Sequence, residues 1–313
     1  MKAPQKKSVS TSFGDIAYLE TGSADRPPVL FVHGIPTSGY LWRHVLRFLQ
    51  NDFHCYAPDL MGLGDTRIDD KTPLHMDAQA EMLVDFMHEM GHDTFALVCH
   101  DQGGAAAQII AARMPQKVTC FVLTDCVCYD NWPVPAIKRL QRMSQLPLVP
   151  EVLGRTGFTE WLQTKTRLSD FRKGVFEPHK LTDETIHEYL RPLSEGPEQR
   201  ERFRKFVLAG DARYTELVVE DLKRFDKPTL VVWAADDFYL SPSWGKQLFQ
   251  DIPGAERFEL VPFCGHFWQE ERPSEFSAVI GSFLSLHLSG RVQPVEEQEP
   301  KRLPVAADSP GAE

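Results

Sequence analysis

Short apolar runs alternate along most of the chain with segments in which apolar residues recur every three or four positions. The runs have the length of buried strands, and the periodic segments are typical of amphipathic helices. Strands are predicted at residues 16–20, 29–33, 54–57, 95–99, 119–123, 229–233 and 258–261. The clearest helices carry apolar faces at Ala80, Leu83, Val84 and Met87 and at Phe276, Val279, Ile280, Phe283 and Leu284. This alternation predicts an α/β protein with a mostly parallel sheet that helices cover on both faces.

The alternation stops between residues 129 and 224. This segment is helix-like, aromatic and charged, with no convincing strand pattern. We therefore predict that it forms a helical cap inserted into a core made of residues 1–128 and 225–288. Residues 289–313 are rich in Pro, Glu and Ala and offer little to bury, which predicts a disordered tail.

The segment from Phe95 to Gly104 places an aspartate between small residues, where a strand pattern gives way to a helical one. Cys99, Gly103 and Gly104 supply the small side chains that a tight strand-to-helix turn needs. Such a turn lifts Asp101 out of the sheet. A carboxylate there can attack carbon and form a covalent ester, so Asp101 is the candidate nucleophile.

Two later strands end in residues that would complete such a site. His266 follows the predicted strand at 258–261, and Asp237 follows the one at 229–233. A histidine that is oriented by an acid can activate water to hydrolyse an ester. Asp237 is the preferred acid, and Asp125, which follows the strand at 119–123, is the alternative.

Several motifs occur in one order along the chain. They are His33-Gly-Ile-Pro36, Pro58-Asp-Leu-Met-Gly-Leu-Gly64, the turn at Asp101, Trp233 to Asp237, and Gly265-His266. With this set the chain resembles the α/β-hydrolase superfamily, in the branch of epoxide hydrolases and haloalkane dehalogenases whose nucleophile is aspartate. The resemblance implies that the backbone N–H groups of Ile35 and Gln102 receive the oxyanion that forms when water attacks the ester.

The resemblance is compatible with two leaving groups. Haloalkane dehalogenases hold halide with a Trp after the nucleophile and an Asn or a second Trp elsewhere, whereas Gln102 and Ile35 stand at those positions here. Fluoroacetate dehalogenases place arginines beside the nucleophile, which Gln102 and Ala105 replace. Epoxide hydrolases use two cap tyrosines to protonate the epoxide oxygen. Tyr214 lies near the expected place of one, and Tyr189 is the substitute for the other.

Aromatic residues of the cap predict an apolar pocket, and the set comprises Trp132, Phe158, Trp161 and Phe171. In a dehalogenase, Trp132 or Trp161 would add a hydrogen bond to the halide. The expected partners are therefore a small, apolar, uncharged substrate and water.

Composition excludes several other classes. A net charge of -10 argues against nucleic acid or an anionic membrane as a partner. There is no membrane-spanning apolar run, and the first residues lack the apolar core of a signal peptide. The six cysteines lie mostly in or beside predicted strands, which favours reduced thiols and a cytoplasmic location. Neither a metal-ligand spacing nor a complete dinucleotide fingerprint is present, so no metal or cofactor is expected. The sequence carries no signal for an oligomeric state.

The predicted function is hydrolysis of a small apolar substrate through an ester on Asp101, with the opening of an epoxide to a diol as the preferred reaction. Dehalogenase-type hydrolysis of a carbon–halogen bond is the alternative. A third hypothesis, from a different class, is a protein that binds a small ligand in a hydrolase-like pocket without turnover. It predicts binding without any covalent ester.

Overall fold

The computed structural model describes residues 4–146, 157–166 and 168–288. Within this part of the chain, nine strands form a single mixed sheet. They are β1 (Lys7–Thr11), β2 (Gly14–Thr21), β3 (Pro28–Val32), β4 (His54–Pro58), β5 (Arg67–Ile68), β6 (Phe95–Asp101), β7 (Val118–Cys126), β8 (Thr229–Ala234) and β9 (Ala255–Val261). Their spatial order is β1-β2-β4-β3-β6-β7-β8-β9, and β5 also pairs with β2. Strands β3, β4 and β6 to β9 are parallel, whereas β1, β2 and β5 pair antiparallel.

The sheet confirms the predicted fold class and contains all seven predicted strands. Two strands, β1 and β5, were not predicted. The five residues of β1, Lys-Ser-Val-Ser-Thr, are exposed or half-buried at the edge of the sheet, so they form no apolar run. Strand β5 has only two residues, which is too short for a periodic pattern to appear.

Thirteen α-helices are described. They are α1 (Arg43–Leu49), α2 (Met76–Glu89), α3 (Gly103–Arg113), α4 (Pro135–Ser144), α5 (Phe158–Lys165), α6 (Asp170–Lys173), α7 (Asp183–Glu195), α8 (Pro197–Ala209), α9 (Arg213–Glu216), α10 (Val219–Leu222), α11 (Pro242–Asp251), α12 (Trp268–Glu271) and α13 (Pro273–Leu288).

Neighbouring residues of β3 show how the sheet is covered on both faces. Leu30 belongs to the same apolar cluster as Leu83 of α2, and Val29 belongs to the cluster that contains Ile280 of α13. Because side chains alternate across a strand, both faces of the sheet are buried.

The segment between β7 and β8 carries helices α4 to α10, and its described residues contain no strand. We use the word cap for this segment, residues 129–224. Its boundaries stay a prediction, and the predicted tail at 289–313 lies outside the described residues. In the described chain, none of the helices has the length and apolarity that a membrane crossing requires.

A buried ion pair ties the cap to the core. The guanidinium of Arg43 in α1 donates two hydrogen bonds to Glu270 in α12, at 2.5 and 2.8 Å. The hydroxyl of Tyr189 in cap helix α7 donates to the same carboxylate, and Arg43 also donates to Thr185 of that helix at 3.3 Å. The two charged side chains are only 7% and 3% exposed. Removing one partner therefore leaves the other charge buried and uncompensated.

Glu270→Gln is expected to lower the free energy of unfolding by about 3–5 kcal/mol, because the Arg43 charge stays buried without its counterion. Chemical denaturation measures this loss. The matched control is Glu220→Gln, which removes a carboxylate that is 76% exposed and pairs with Lys223 at 2.8 Å. That change is expected to stay within about 0.5 kcal/mol. Equal losses of unfolding free energy in the two variants would show that the buried ion pair stabilises the fold no more than the exposed one.

Candidate active site

The turn between β6 and α3 places Asp101 at its apex. Asp101 has a φ of 51°, in the left-handed region that non-glycine residues rarely adopt. The neighbouring glycines allow the close approach. A Cβ on Gly34 would lie 2.1 Å from the Asp101 carboxylate, and one on Gly103 would lie 2.3 Å from the carbonyl of His33. Of the small residues predicted around Asp101, Gly103 and also Gly104, where a Cβ would lie 2.4 Å from Cys126, are therefore needed for this close packing.

The carboxylate of Asp101 is held at both oxygens. Oδ1 accepts a hydrogen bond from the backbone N–H of Ile35 at 2.8 Å. Oδ2 lies 3.5 Å from Nε2 of His266. Burial raises the pKa of Asp101, but the contact with His266 and the backbone N–H of Gln102 outweigh it and hold the pKa below its usual range. Asp101 is therefore ionised, and the two predicted oxyanion donors both act on its carboxylate.

His266 is buried between two carboxylates. Its Nδ1 lies 2.8 Å from Oδ2 of Asp237, whose side chain has no exposed surface. The other oxygen of Asp237 accepts the backbone N–H groups of Tyr239 at 2.7 Å and Leu240 at 3.0 Å. Burial lowers the pKa of His266, but Asp237 and Asp101 outweigh it and raise the pKa to about 10. His266 is thus a cation at neutral pH while Asp101 is ionised.

Asp125, the alternative acid, is engaged elsewhere. Its Oδ1 accepts the backbone N–H of Ala234 at 2.9 Å. Its Oδ2 accepts from Trp268 Nε1 at 2.8 Å and from Thr124 Oγ1 at 2.6 Å. Burial and then the neighbouring Asp237 raise the pKa of Asp125 well above its usual range. Nδ1 of His266 donates its hydrogen bond to Asp237 instead, so the structure favours Asp237 over Asp125.

One segment of the cap is joined to the loop that carries His266, and we call this junction the cap seam (residues 174–177 against 265–271). The N–H of Phe267 donates to the carbonyl of Gly174 at 2.8 Å. Glu271 accepts the N–H of Glu177 at 2.7 Å and that of Gly265 at 2.8 Å. A Cβ on Gly265 would lie 2.8 Å from the Gly174 carbonyl, so the close approach requires glycine. The seam fixes the His266 loop from the cap side.

A cavity of about 270 Å³ lies between the cap and the strand ends, with Asp101 and His266 in its wall. Most of the lining is apolar, including Ile137, Leu140, Phe158, Leu162, Phe171 and Phe203. An ionised carboxylate in such a cavity has few competing water contacts. The cavity therefore suits the attack of a carboxylate on an apolar substrate.

A family model described as alpha/beta hydrolase fold matches residues 27–273. The chain belongs to this family. Epoxide hydrolase 3 of Xenopus tropicalis is 26% identical to the hydrolase over 289 residues, which cover 85% of this chain and 74% of that protein. Haloalkane dehalogenase 2 of Mycobacterium tuberculosis is 28% identical over 278 residues, which cover 86% of this chain and 91% of the relative. These similarities support a hydrolase of this family and confirm the predicted superfamily.

The solved structure of the epoxide hydrolase CorEH is similar in fold to this hydrolase. The TM-score is 0.75 at 21% sequence identity, over 90% of this chain and 97% of that one. At this identity the likeness shows the fold alone. The choice between an epoxide and a halide must therefore be argued from the residues around the cavity.

The structure corrects the prediction for the two cap tyrosines of the hydrolase, because neither lines the cavity. Tyr214 lies in a separate surface cleft, stacked on His75 at 5.9 Å between ring centroids, and its hydroxyl accepts from Arg213 at 3.0 Å. Tyr189 lies behind Phe171, on which it stacks, and its hydroxyl donates to Glu270. Both phenols serve packing and cap attachment in this arrangement.

The two cap tryptophans also lie away from the cavity. The indole N–H of Trp132 donates to Thr215 at 2.7 Å, in a buried contact between cap segments. Trp161 is 53% exposed and stacks on Phe158 at 5.8 Å. Trp161 thus supports a residue of the cavity wall without reaching the cavity itself, and neither indole is placed to bind halide.

Five polar residues of the cavity wall were not predicted, and they are Arg139, Thr159, Gln163, Asp170 and Tyr239. Four of them belong to the cap, where the sequence does not show which side chains face the cavity. Tyr239 had a usable signal, because it follows Asp237 by two residues at the same edge of the sheet. Any residue so close to the acid of the site is a candidate for the cavity wall.

Proposed function

We propose that this hydrolase opens small apolar epoxides to diols through an alkyl ester on Asp101. The observation that carries the proposal is the arrangement at Asp101. One oxygen accepts the N–H of Ile35, the other faces His266, and Asp101 lies in the wall of an apolar cavity. A carboxylate that is shielded from water and oriented towards its target is an adequate nucleophile for the carbon of a strained carbon–oxygen bond.

The reaction has two covalent steps. Asp101 attacks an epoxide carbon, the ring carbon–oxygen bond breaks, and the ring oxygen takes a proton that ultimately comes from the cationic His266, which becomes neutral. His266 then removes a proton from water, and the water oxygen attacks the carbonyl carbon of the ester. The resulting oxyanion receives the N–H groups of Ile35 and Gln102. Collapse of this intermediate releases the diol and restores the carboxylate.

The residues beside Asp101 favour an epoxide over a halide. Ile35 presents an alkyl side chain where dehalogenases of this branch carry a hydrogen-bond donor to halide, and Gln102 replaces the tryptophan.

One observation favours the dehalogenase alternative. A halide leaves without needing a proton, and neither Tyr214 nor Tyr189 lines the cavity to supply one. The two reactions share Asp101, His266 and Asp237, so they differ only in the leaving group.

The deciding experiment is a turnover assay with matched panels of epoxides and haloalkanes, in which diol formation and halide release are measured separately. Diol formation without halide release is the expected result. Halide release alone would replace the proposal by the dehalogenase alternative.

A single turnover in heavy-oxygen water adds a second test, because the ester route transfers an oxygen of Asp101 to the first diol. Heavy oxygen in that first diol would mean direct attack by water.

A protein that only binds ligands would give neither diol nor halide. Thermal unfolding in the presence of the same compounds would then still show stabilisation, because a ligand that binds the folded state raises its stability by mass action. Stabilisation without turnover across both panels would therefore support the non-catalytic hypothesis.

A further inference from the structure

Tyr239 lies in the loop after β8, and its side chain shares the cavity with Asp101 and His266. Of the described residues that line this cavity, it is the only tyrosine. Opening an epoxide places negative charge on the departing oxygen, which is far more basic than a phenolate. Some acid of the cavity must therefore protonate that oxygen, and the tyrosines of the cap lie elsewhere.

Three contacts fix the position of Tyr239. Its backbone N–H donates to Oδ1 of Asp237 at 2.7 Å. Its ring packs edge-on against the imidazole of His266, with ring centroids 5.4 Å apart and planes at 76°. Its hydroxyl donates to the backbone carbonyl of Asp170 in the cap. The phenol thus spans from the strand ends to the cap across the cavity wall, and its proton is already shared with a weak acceptor.

The two ring nitrogens of His266 face the carboxylates of Asp237 and Asp101, so its protons are directed there. The remaining polar groups of the cavity wall are poorer acids than a phenol, the hydroxyl of Thr159 among them. Arg139 is 65% exposed, lies 3.5 Å from Asp170, and a guanidinium does not release its proton in proteins. The amide oxygen of Gln163 accepts the N–H of Asp170 at 2.8 Å, and an amide is not a proton donor of useful strength. Asp170 carries a carboxylate and lies beside both Arg139 and Lys173. Burial and then the carboxylates of Asp170 and Asp237 raise the pKa of Tyr239, so the phenol keeps its proton at neutral pH.

We propose that Tyr239 is the catalytic acid that protonates the epoxide oxygen while Asp101 attacks the ring carbon. This inference rests on the proposed function. The Asp101 oxygen–carbon bond forms, the ring carbon–oxygen bond breaks with its electron pair on oxygen, and that oxygen takes the phenol proton. The phenolate then recovers a proton from the adjacent cationic His266. His266 becomes neutral at that moment and can act as the base for water.

The proton transfers balance over one catalytic cycle. His266 regains a proton from the attacking water, and the remaining hydroxide completes hydrolysis of the ester. The carboxylic proton of this product passes to the departing alkoxide. Asp101 is again ionised, His266 is again a cation and Tyr239 is again a phenol, while epoxide and water have become diol. The rings of Tyr239 and His266 pack edge-on in the wall of the same cavity, so the proton is exchanged between neighbouring side chains.

The test is Tyr239→Phe, which removes only the hydroxyl. Ring opening, followed in a single turnover as ester formation on Asp101, is expected to slow by about 10²-fold or more. A solvent deuterium isotope effect on ring opening is expected in the unchanged protein and should disappear in the variant. The matched control is Tyr214→Phe, which removes a phenol from the separate surface cleft and is expected to leave ring opening unchanged.

The outcomes separate the two proposals. If the unchanged protein opens no epoxide, the proposed function fails and this inference fails with it. If the unchanged protein opens epoxides and Tyr239→Phe does so at the same rate, only the role of Tyr239 is overturned.

Should the variant fold poorly, fluorinated tyrosine at position 239 provides a second test, because it makes the phenol more acidic without removing it. The rate of ring opening at neutral pH must then change with the acidity of the phenol, and an unchanged rate would also overturn the inference.

Discussion

Asp101→Asn is expected to reduce turnover by about 10⁴-fold or more, because an amide oxygen cannot act as the nucleophile that forms the ester. The replacement has nearly the same shape, and its side-chain oxygen can still accept the N–H of Ile35. The fold should therefore be retained, although the ion pair with His266 is lost. Diol formation under saturating epoxide is the measurement, with circular dichroism as the check on folding.

Asp236→Asn is the matched control for this change. Asp236 neighbours Asp237 in sequence, but it is exposed, and its carboxylate accepts the N–H of Phe263 at 3.1 Å. Its replacement is expected to leave turnover unchanged. Because asparagine at a strained turn can revert to aspartate by deamidation, mass spectrometry of the Asp101→Asn protein must accompany the assay. Full turnover in a sample free of reverted aspartate would remove Asp101 from the mechanism.

His266→Gln is expected to stop the reaction after one covalent step. Glutamine cannot take a proton from water, so the ester on Asp101 forms but is not hydrolysed. Each molecule should release no diol and gain the mass of one substrate molecule. Steady-state turnover is expected to fall by about 10³-fold or more, as for the loss of a base in other covalent mechanisms.

The double variant Asp101→Asn with His266→Gln separates a true ester from non-specific modification. It lacks the attacking carboxylate and is expected to gain no mass from the substrate. A peptide map of the single variant should place the added mass on the peptide that contains Asp101. Added mass on a different peptide, or rapid diol release from His266→Gln, would contradict the two-step mechanism.

The strand ends could be predicted from the sequence because their signals are local. An apolar run that ends in Asp101 or His266, followed by a new periodicity, fixes where the side chain emerges from the sheet. The parallel sheet then brings these ends to one edge, as the structure places them. Asp237 and Asp125 both satisfied this local rule. Only the tertiary contacts of Asp125 with Trp268 and Ala234 separate the two.

The cap could not be predicted in the same detail. Its helices were expected as a class, but which face of each helix meets the cavity depends on partners distant in the chain. The phenol of Tyr189 is turned away from the cavity by Glu270, 81 residues further along. Tyr214 is held by its neighbour Arg213 and by His75. The sequence therefore shows that a cap tyrosine is available as an acid. Whether its hydroxyl faces the cavity depends on contacts with residues that the sequence pattern does not reveal.

Hydrogen bonds across the cap seam couple the cap to the His266 loop, so separating one from the core would also release the other. The amides of Phe267 and Glu177 are hydrogen-bonded across this junction, so their protons are expected to exchange with solvent when it separates. These amides would exchange at one common rate if the seam opens as a unit. With the junction separated, the loop that carries His266 would lack its cap-side hydrogen bonds.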